Sequence, residues 1–254
     1  MNRQKELANF AKEAGYCKSV NPLGTNKEVD HGYLTHVYQD IGEQIQVKSL
    51  LEIGLMWGNS LKLWSTYFNA KLCVGIENGA SVSQRDFESF PNVTVFNKDA
   101  FKRRTYKALP KNISLVIDDA NHTKYQQSRS TSIYVKKLQE LGVMVVEDVN
   151  PSKSYIYNIL RSIPPSLKVK VWVVDLTTLE NKLPNSICVV IQLVNESGSK
   201  SLNAPDNFWV SVRLRLKVVR IAQYYFQILL ICPIYKVSTS LKYRLEMLMK
   251  RTRQ

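Results

Sequence analysis

Five short apolar runs, at residues 48–53, 72–77, 93–97, 113–118 and 142–147, are separated by four stretches with helical character, at 58–68, 82–88, 100–107 and 124–141. Strands that alternate with helices return by crossover, so the pattern predicts βαβ units and a parallel sheet. The expected fold is therefore α/β: a Rossmann-like, mostly parallel sheet with helices on both faces. Two further runs, "KVKVWVVDL" (168–176) and "NSICVVIQLV" (185–194), lie only eight residues apart. No crossover helix fits there, so these two close the sheet as an antiparallel pair.

The core is expected at 48–194. Ahead of it, 1–47 reads as a helical lid segment, with a polar loop at 21–33 and apolar helical spacing at Leu34, Val37, Tyr38 and Ile41. Behind it, 195–254 is a basic extension: residues 212–254 hold ten Lys/Arg against one acid, +9 of the chain's net +14. A charge excess gathered in one tail argues against nucleic acid, which would draw the charge to the body of the fold. In the tail, 209–219 alternates as a strand does, and Leu241, Leu245, Leu248 and Met249 share one helical face. That face fits a homo-oligomer contact or peripheral attachment to a membrane surface, while 221–235 is too short and interrupted to span a bilayer. Four scattered cysteines without metal or redox spacing, and an N-terminus without an apolar signal core, predict a reduced, cytoplasmic setting.

"SLLEIGLMWGNSLKLW" (49–64) is the first chemical signal. A strand that ends in glycines before a helix lets backbone approach a ligand, and the helix start offers unpaired N–H groups. Gly54, Gly58, Ser60 and Trp57, which sits inside the loop, are the candidates. Glu52 is an acid in a buried strand and needs a cation, which a ligand's amino group would supply. Glu77 ends the second strand, where a carboxylate can accept both hydroxyls of a ribose. Asp99 follows the third strand within reach of an adenine amine. Ribose, adenine and a cationic amino acid together point to S-adenosylmethionine; the glycine pair alone also fits a chance spacing or an NAD fold.

"DDANH" places Asp118, Asp119 and His122 past the fourth strand, and "VEDVN" places Glu147 and Asp148 past the fifth. The carboxyl ends of neighbouring parallel strands share one rim. Carboxylates so close repel unless a cation compensates them, and Mg²⁺ or Mn²⁺ is suited to oxygen ligands. Asp118 also fits a helix-capping or loop-holding role. His31 and Tyr33 are placed to touch cofactor or acceptor or to order the lid. His36 and Trp64 read as structural.

Residues 24 to about 194 resemble class I S-adenosylmethionine-dependent methyltransferases. More narrowly they resemble the metal-dependent sugar O-methyltransferases grouped with the macrocin, mycinamicin and rhamnosyl enzymes and the cephalosporin hydroxylase-like proteins. The likeness rests on "GTNKEVDHGYLTHVYQDI", "LLEIGLMWGNSLKLW", "LVIDDANHTKYQQ" and "GVMVVEDV". Asn26, Ala120, Asn121 and Val143 depart from that family's pattern. The resemblance implies a metal on Asp119, Glu147 and Asp148, a general base at His122, and a carbohydrate acceptor. Two other readings stand beside it. One is an RNA cap ribose 2′-O-methyltransferase, although Glu147–Asp148 stand where that class wants a lysine. The other is a non-catalytic module that kept the cofactor fold.

Overall fold

A computed structural model of the chain describes residues 6–79, 81–194, 202–203, 209–216 and 226–230. The expected helix at 241–249 and most of the loop at 195–207 lie outside these residues. Strands β1 (Ser49–Ile53), β2 (Leu72–Glu77), β3 (Val93–Asn97), β4 (Ile113–Asp118) and β5 (Leu138–Val146) form the parallel part of one sheet. Strands β6 (Val169–Asp175) and β7 (Ile187–Leu193) follow, and β7 inserts antiparallel between β5 and β6. The full order is β3-β2-β1-β4-β5-β7-β6-β8-β9, with β8 (Trp209–Leu216) and β9 (Phe226–Leu230) continuing the sheet antiparallel beyond β6.

The central strands are nearly continuous apolar runs because both faces are covered, with Glu52 and Ser114 the buried polar exceptions inside β1 and β4. Leu50, Leu115, Ile117, Val143 and Val145 point to one face with Leu7, Leu34, Val37, Tyr38, Ile41, Leu61 and Trp64. Leu51, Ile53, Val116, Met144 and Val146 point to the other, with Tyr134, Val135, Ile159 and Leu160. The first face carries α1 (Glu6–Glu13), α2 (Gln39–Gln44) and α3 (Asn59–Tyr67); the second carries α4 (Arg103–Ala108), α5 (Lys124–Tyr134) and α6 (Lys153–Ser162).

Three elements differ from expectation. The helix expected over 82–88 is a single 3₁₀ turn, Gln84–Phe87, closed by a capping box between Ser83 and Asp86. The helix expected over 124–141 stops at Tyr134, and β5 begins at Leu138 with Leu141 in left-handed backbone. Helix α6 was not read from the sequence; it supplies the crossover that lets β6 run in the direction of β5. Among the described residues no helix is long and apolar enough to cross a membrane.

Candidate active site

The strand ladder runs one residue past the end of three strands. The N–H of Gly54 donates to Ile76 O (2.9 Å), that of Asp119 to Ile53 O (2.9 Å) and that of Glu147 to Asp118 O (3.0 Å). The chain therefore leaves β1, β4 and β5 at one level, and the side chains just beyond share a rim, where open α/β sheets bind ligands. Gly54 makes this possible. Its φ is +87°, and a Cβ there would lie 2.3 Å from Asp119 O. The glycine read as leaving room for a ligand thus leaves room for the backbone that carries Asp119. Gly58 likewise faces the Phe87 ring, which a Cβ would meet at 2.6 Å.

Glu77 ends β2 in register with Asn97, and Asp99 lies two residues beyond on the same rim. Glu77 accepts from the N–H groups of Leu55 (2.9 Å), Met56 (3.1 Å) and Gly79 (2.8 Å), so it shapes the loop after β1. Burial works against its charge, but these N–H groups prevail and hold the carboxyl below its ordinary value. Asp99 accepts from Phe101 N–H (2.8 Å). Met56 and Trp57 are 70 % and 45 % exposed. Trp57 is therefore an open lip of the rim, whereas Trp64 is packed against Tyr38 and Phe68. This open stretch, flanked by half-exposed Glu77 and Asp99, fits a nucleoside-bearing cofactor.

The buried side of the rim is organised by a residue that the sequence reading passed over. Lys27 is 1 % exposed, and its Nζ lies 2.5 Å from Glu147 Oε2, 2.6 Å from Asp119 Oδ2 and 3.6 Å from Glu52 Oε1. Burial opposes its charge, but Asp119, Glu147 and Glu52 outweigh that and raise its pKa further. One ammonium cannot neutralise three carboxylates. Burial pushes Glu147 up, and it pushes Glu52 to about 7 against the pull of Lys27. The cation that Glu52 was expected to find on a ligand is thus a residue of the chain. Ser60 and Trp64 face Glu52 from α3, yet neither Glu52 oxygen closes a hydrogen bond.

The lid segment adds two tyrosines. Leu34–Tyr38 is a π-helical turn. In an α-helix, residues five apart point about 140° away from each other. The wider turn brings Tyr33 and Tyr38 onto the rim together, and such turns are frequent at functional sites. The Tyr38 hydroxyl donates to Glu147 Oε1. The Tyr33 hydroxyl donates to Asp148 Oδ1 (2.9 Å) and accepts from Asp148 N–H (3.2 Å). Tyr33 is fully buried, so it orients Asp148 and has no surface to offer cofactor or acceptor. His31 stacks on Tyr33 and sits 3.1 Å from Ser186 Oγ and 3.3 Å from Asp148 Oδ1. Burial holds the His31 pKa below its ordinary value.

The three expected metal residues therefore separate. Both oxygens of Glu147 face inward, to Lys27 and Tyr38. Asp119 and Asp148 each tie one oxygen inward and turn the other to His122, whose Nε2 lies 3.7 Å from Asp119 Oδ1 and 3.7 Å from Asp148 Oδ2. One ligand atom each from Asp119, His122 and Asp148 falls within 4.8 Å of the others. His122 (φ +46°) and Asp148 (φ +51°) both hold left-handed backbone, a strained conformation that clusters at functional sites. Asp118 is buried behind them, where Ser130 Oγ faces it without closing a hydrogen bond, and burial raises its carboxyl to about 7. It supports the loop and does not reach the rim.

The sheet order β3-β2-β1-β4-β5-β7-β6, with β7 reversed and the acids gathered at the carboxyl ends, decides the architecture. It is the Rossmann-like, mostly parallel sheet with a reversed last strand that the resemblance to class I methyltransferases implies. Neither a protein-family model nor a curated protein matches the sequence. Solved structures overlay part of it. Fibrillarin of Aeropyrum pernix, with bound S-adenosyl-L-methionine, is 18 % identical over 58 % of this chain and 67 % of its own, with a TM-score of 0.45. The MycE methyltransferase of the mycinamycin biosynthetic pathway, with Mg and SAH, is 19 % identical over 56 % of this chain, at a TM-score of 0.44; the match spans only 39 % of the MycE chain. Spermidine synthase of Thermotoga maritima is 15 % identical over 66 % of this chain and 58 % of its own, at 0.43.

Proposed function

We propose that this chain transfers a methyl group from S-adenosylmethionine to a hydroxyl of a sugar, with a divalent metal ion at the acceptor and His122 as the base. The observation that carries the reading is the outward-facing trio of Asp119 Oδ1, His122 Nε2 and Asp148 Oδ2 on the same strand-end rim as Glu77, with β1 between them. Mg²⁺ and Mn²⁺ prefer oxygen and commonly take one or two carboxylates together with water. Asp119 and Asp148 fit that demand, and His122 is then left for the proton.

When bound, the cofactor supplies an electrophilic methyl group and the ion lowers the pKa of the acceptor hydroxyl. The chain's own part is positioning and proton transfer. Nε2 of His122 takes the hydroxyl proton, and Asp119 Oδ1 and Asp148 Oδ2, each 3.7 Å away, set where the ring stands. Tyr33 and His31 hold Asp148 in place. Vicinal hydroxyls offer an ion two oxygens at once, which favours a sugar acceptor. The basic tail belongs to the same proposal as a contact outside the reaction, with a second copy or a membrane surface. For the RNA-cap alternative, Lys27 and Asp119 form a lysine–aspartate pair, but a lysine 1 % exposed has no access to an acceptor.

The test is methyl transfer to a panel of glycosides and oligosaccharides, with and without EDTA, on wild type and His122→Ala. A methylated glycoside is expected, its formation abolished by EDTA and slowed about 10²- to 10⁴-fold in the variant. Transfer to capped RNA but to no glycoside would overturn the acceptor. Full activity in EDTA would overturn the metal.

A further inference from the structure

We propose that Lys27 is an internal counter-ion that keeps Glu147 out of the metal set and confines a divalent ion to Asp119 and Asp148. The inference rests on the metal-assisted reading above and specifies which acids serve it. An ion shared by Asp119, Glu147 and Asp148 would have to stand between the first two carboxylates. The Lys27 ammonium stands there, 2.6 Å from Asp119 Oδ2 and 2.5 Å from Glu147 Oε2. Magnesium–oxygen bonds are about 2.0–2.1 Å long, so ion and ammonium would compete for nearly the same volume. Two cations side by side in a poorly solvated place also repel strongly.

The surroundings hold the lysine where it is. Its carbonyl accepts from Tyr33 N–H (2.7 Å). The next residue, Glu28, accepts from Thr35 N–H (3.0 Å) and Thr35 Oγ1 (2.8 Å), and Lys182 Nζ donates to the Glu28 carbonyl (2.6 Å). Behind the ammonium lies Glu52, wholly buried and without a hydrogen bond, which would be a bare buried charge if Lys27 left. The division of oxygens follows the same plan. Glu147 spends both inward, whereas Asp119 and Asp148 spend one inward and present one outward.

The experiment titrates Mn²⁺ alone into the full chain, without cofactor or acceptor, and reads free ion by electron paramagnetic resonance. Asp148→Asn removes a ligand and should weaken binding about tenfold or more, whereas Glu147→Gln should stay within about twofold of wild type. Lys27→Arg keeps the charge and should bind as wild type does. Lys27→Met frees the inner carboxylates and should bind about tenfold more tightly or better. A Glu147→Gln loss as large as that of Asp148→Asn overturns the inference, as does a folded Lys27→Met with unchanged affinity. Should Lys27→Met fail to fold, the Glu147 and Asp148 arms decide alone. A wild-type chain that binds no Mn²⁺ overturns both this inference and the metal reading, while the glycoside panel still tests methyl transfer by itself.

Discussion

Gly54→Ala perturbs the rim at its tightest point. Two effects add. Alanine in left-handed backbone costs about 1–2 kcal/mol. The new Cβ would also lie 2.3 Å from Asp119 O, 2.7 Å from its carbonyl carbon and 2.8 Å from Ala120 Cα, all of them backbone atoms. Such overpacking commonly costs about 1–3 kcal/mol, so the sum is about 2–5 kcal/mol. For a chain of this size that is a fall of roughly 10 °C in Tm. Gly15→Ala is the control, since Gly15 also has positive φ (+73°) but nothing within 4 Å of its Cβ position. It should lose only the backbone part, about 1–2 kcal/mol. Calorimetry on both variants separates conformation from contact. Equal losses in the two would refute the argument that Gly54 is there to admit the Asp119 backbone.

Two further outcomes follow from burial. Asp118 has a folded pKa of about 7, above its ordinary 3.8, so folding takes up a proton there. Its contribution is complete below about pH 4, falls steadily above that and is gone past pH 7; the part lost between pH 5 and pH 8 is on the order of 2–3 kcal/mol. Denaturant unfolding at pH 5 and pH 8 should show this fall in wild type and a clearly smaller one in Asp118→Asn; equal falls would remove Asp118 as its source. Tyr33→Phe deletes both hydrogen bonds to Asp148 and leaves its N–H without that partner, which should cost about 1–3 kcal/mol. It should also weaken Mn²⁺ binding; a variant as stable as wild type would contradict the positioning role.

The strands were legible because a sheet covered on both faces leaves nearly continuous apolar runs, and five of those stand within a few residues of their expected bounds. The rim was legible for the same reason: once the strands are parallel, Glu77, Asp119 and Glu147 must emerge together. Helix α6 was missed because its buried residues, Ile159 and Leu160, are flanked by tyrosines, serines and a lysine that blur the period. The roles of Lys27 and Tyr38 were hidden more deeply. A lysine in a polar loop reads as solvated, and its partners lie 25 to 120 positions away in sequence. One signal was present: five acids converge at the strand ends, and their compensation was assigned wholly to groups outside the chain. A buried lysine is almost always paired, so the excess of acids was itself the clue.

The central claim is that this rim binds S-adenosylmethionine, and equilibrium binding of S-adenosylhomocysteine tests it without knowledge of the acceptor. Calorimetry on wild type should give saturable binding. Glu77→Ala, which removes the carboxylate we propose for the ribose and releases the N–H groups of Leu55 and Met56, should weaken it by about 3 kcal/mol, or roughly 100-fold. Folded wild-type chain that binds neither S-adenosylhomocysteine nor S-adenosylmethionine at millimolar concentration would contradict the account.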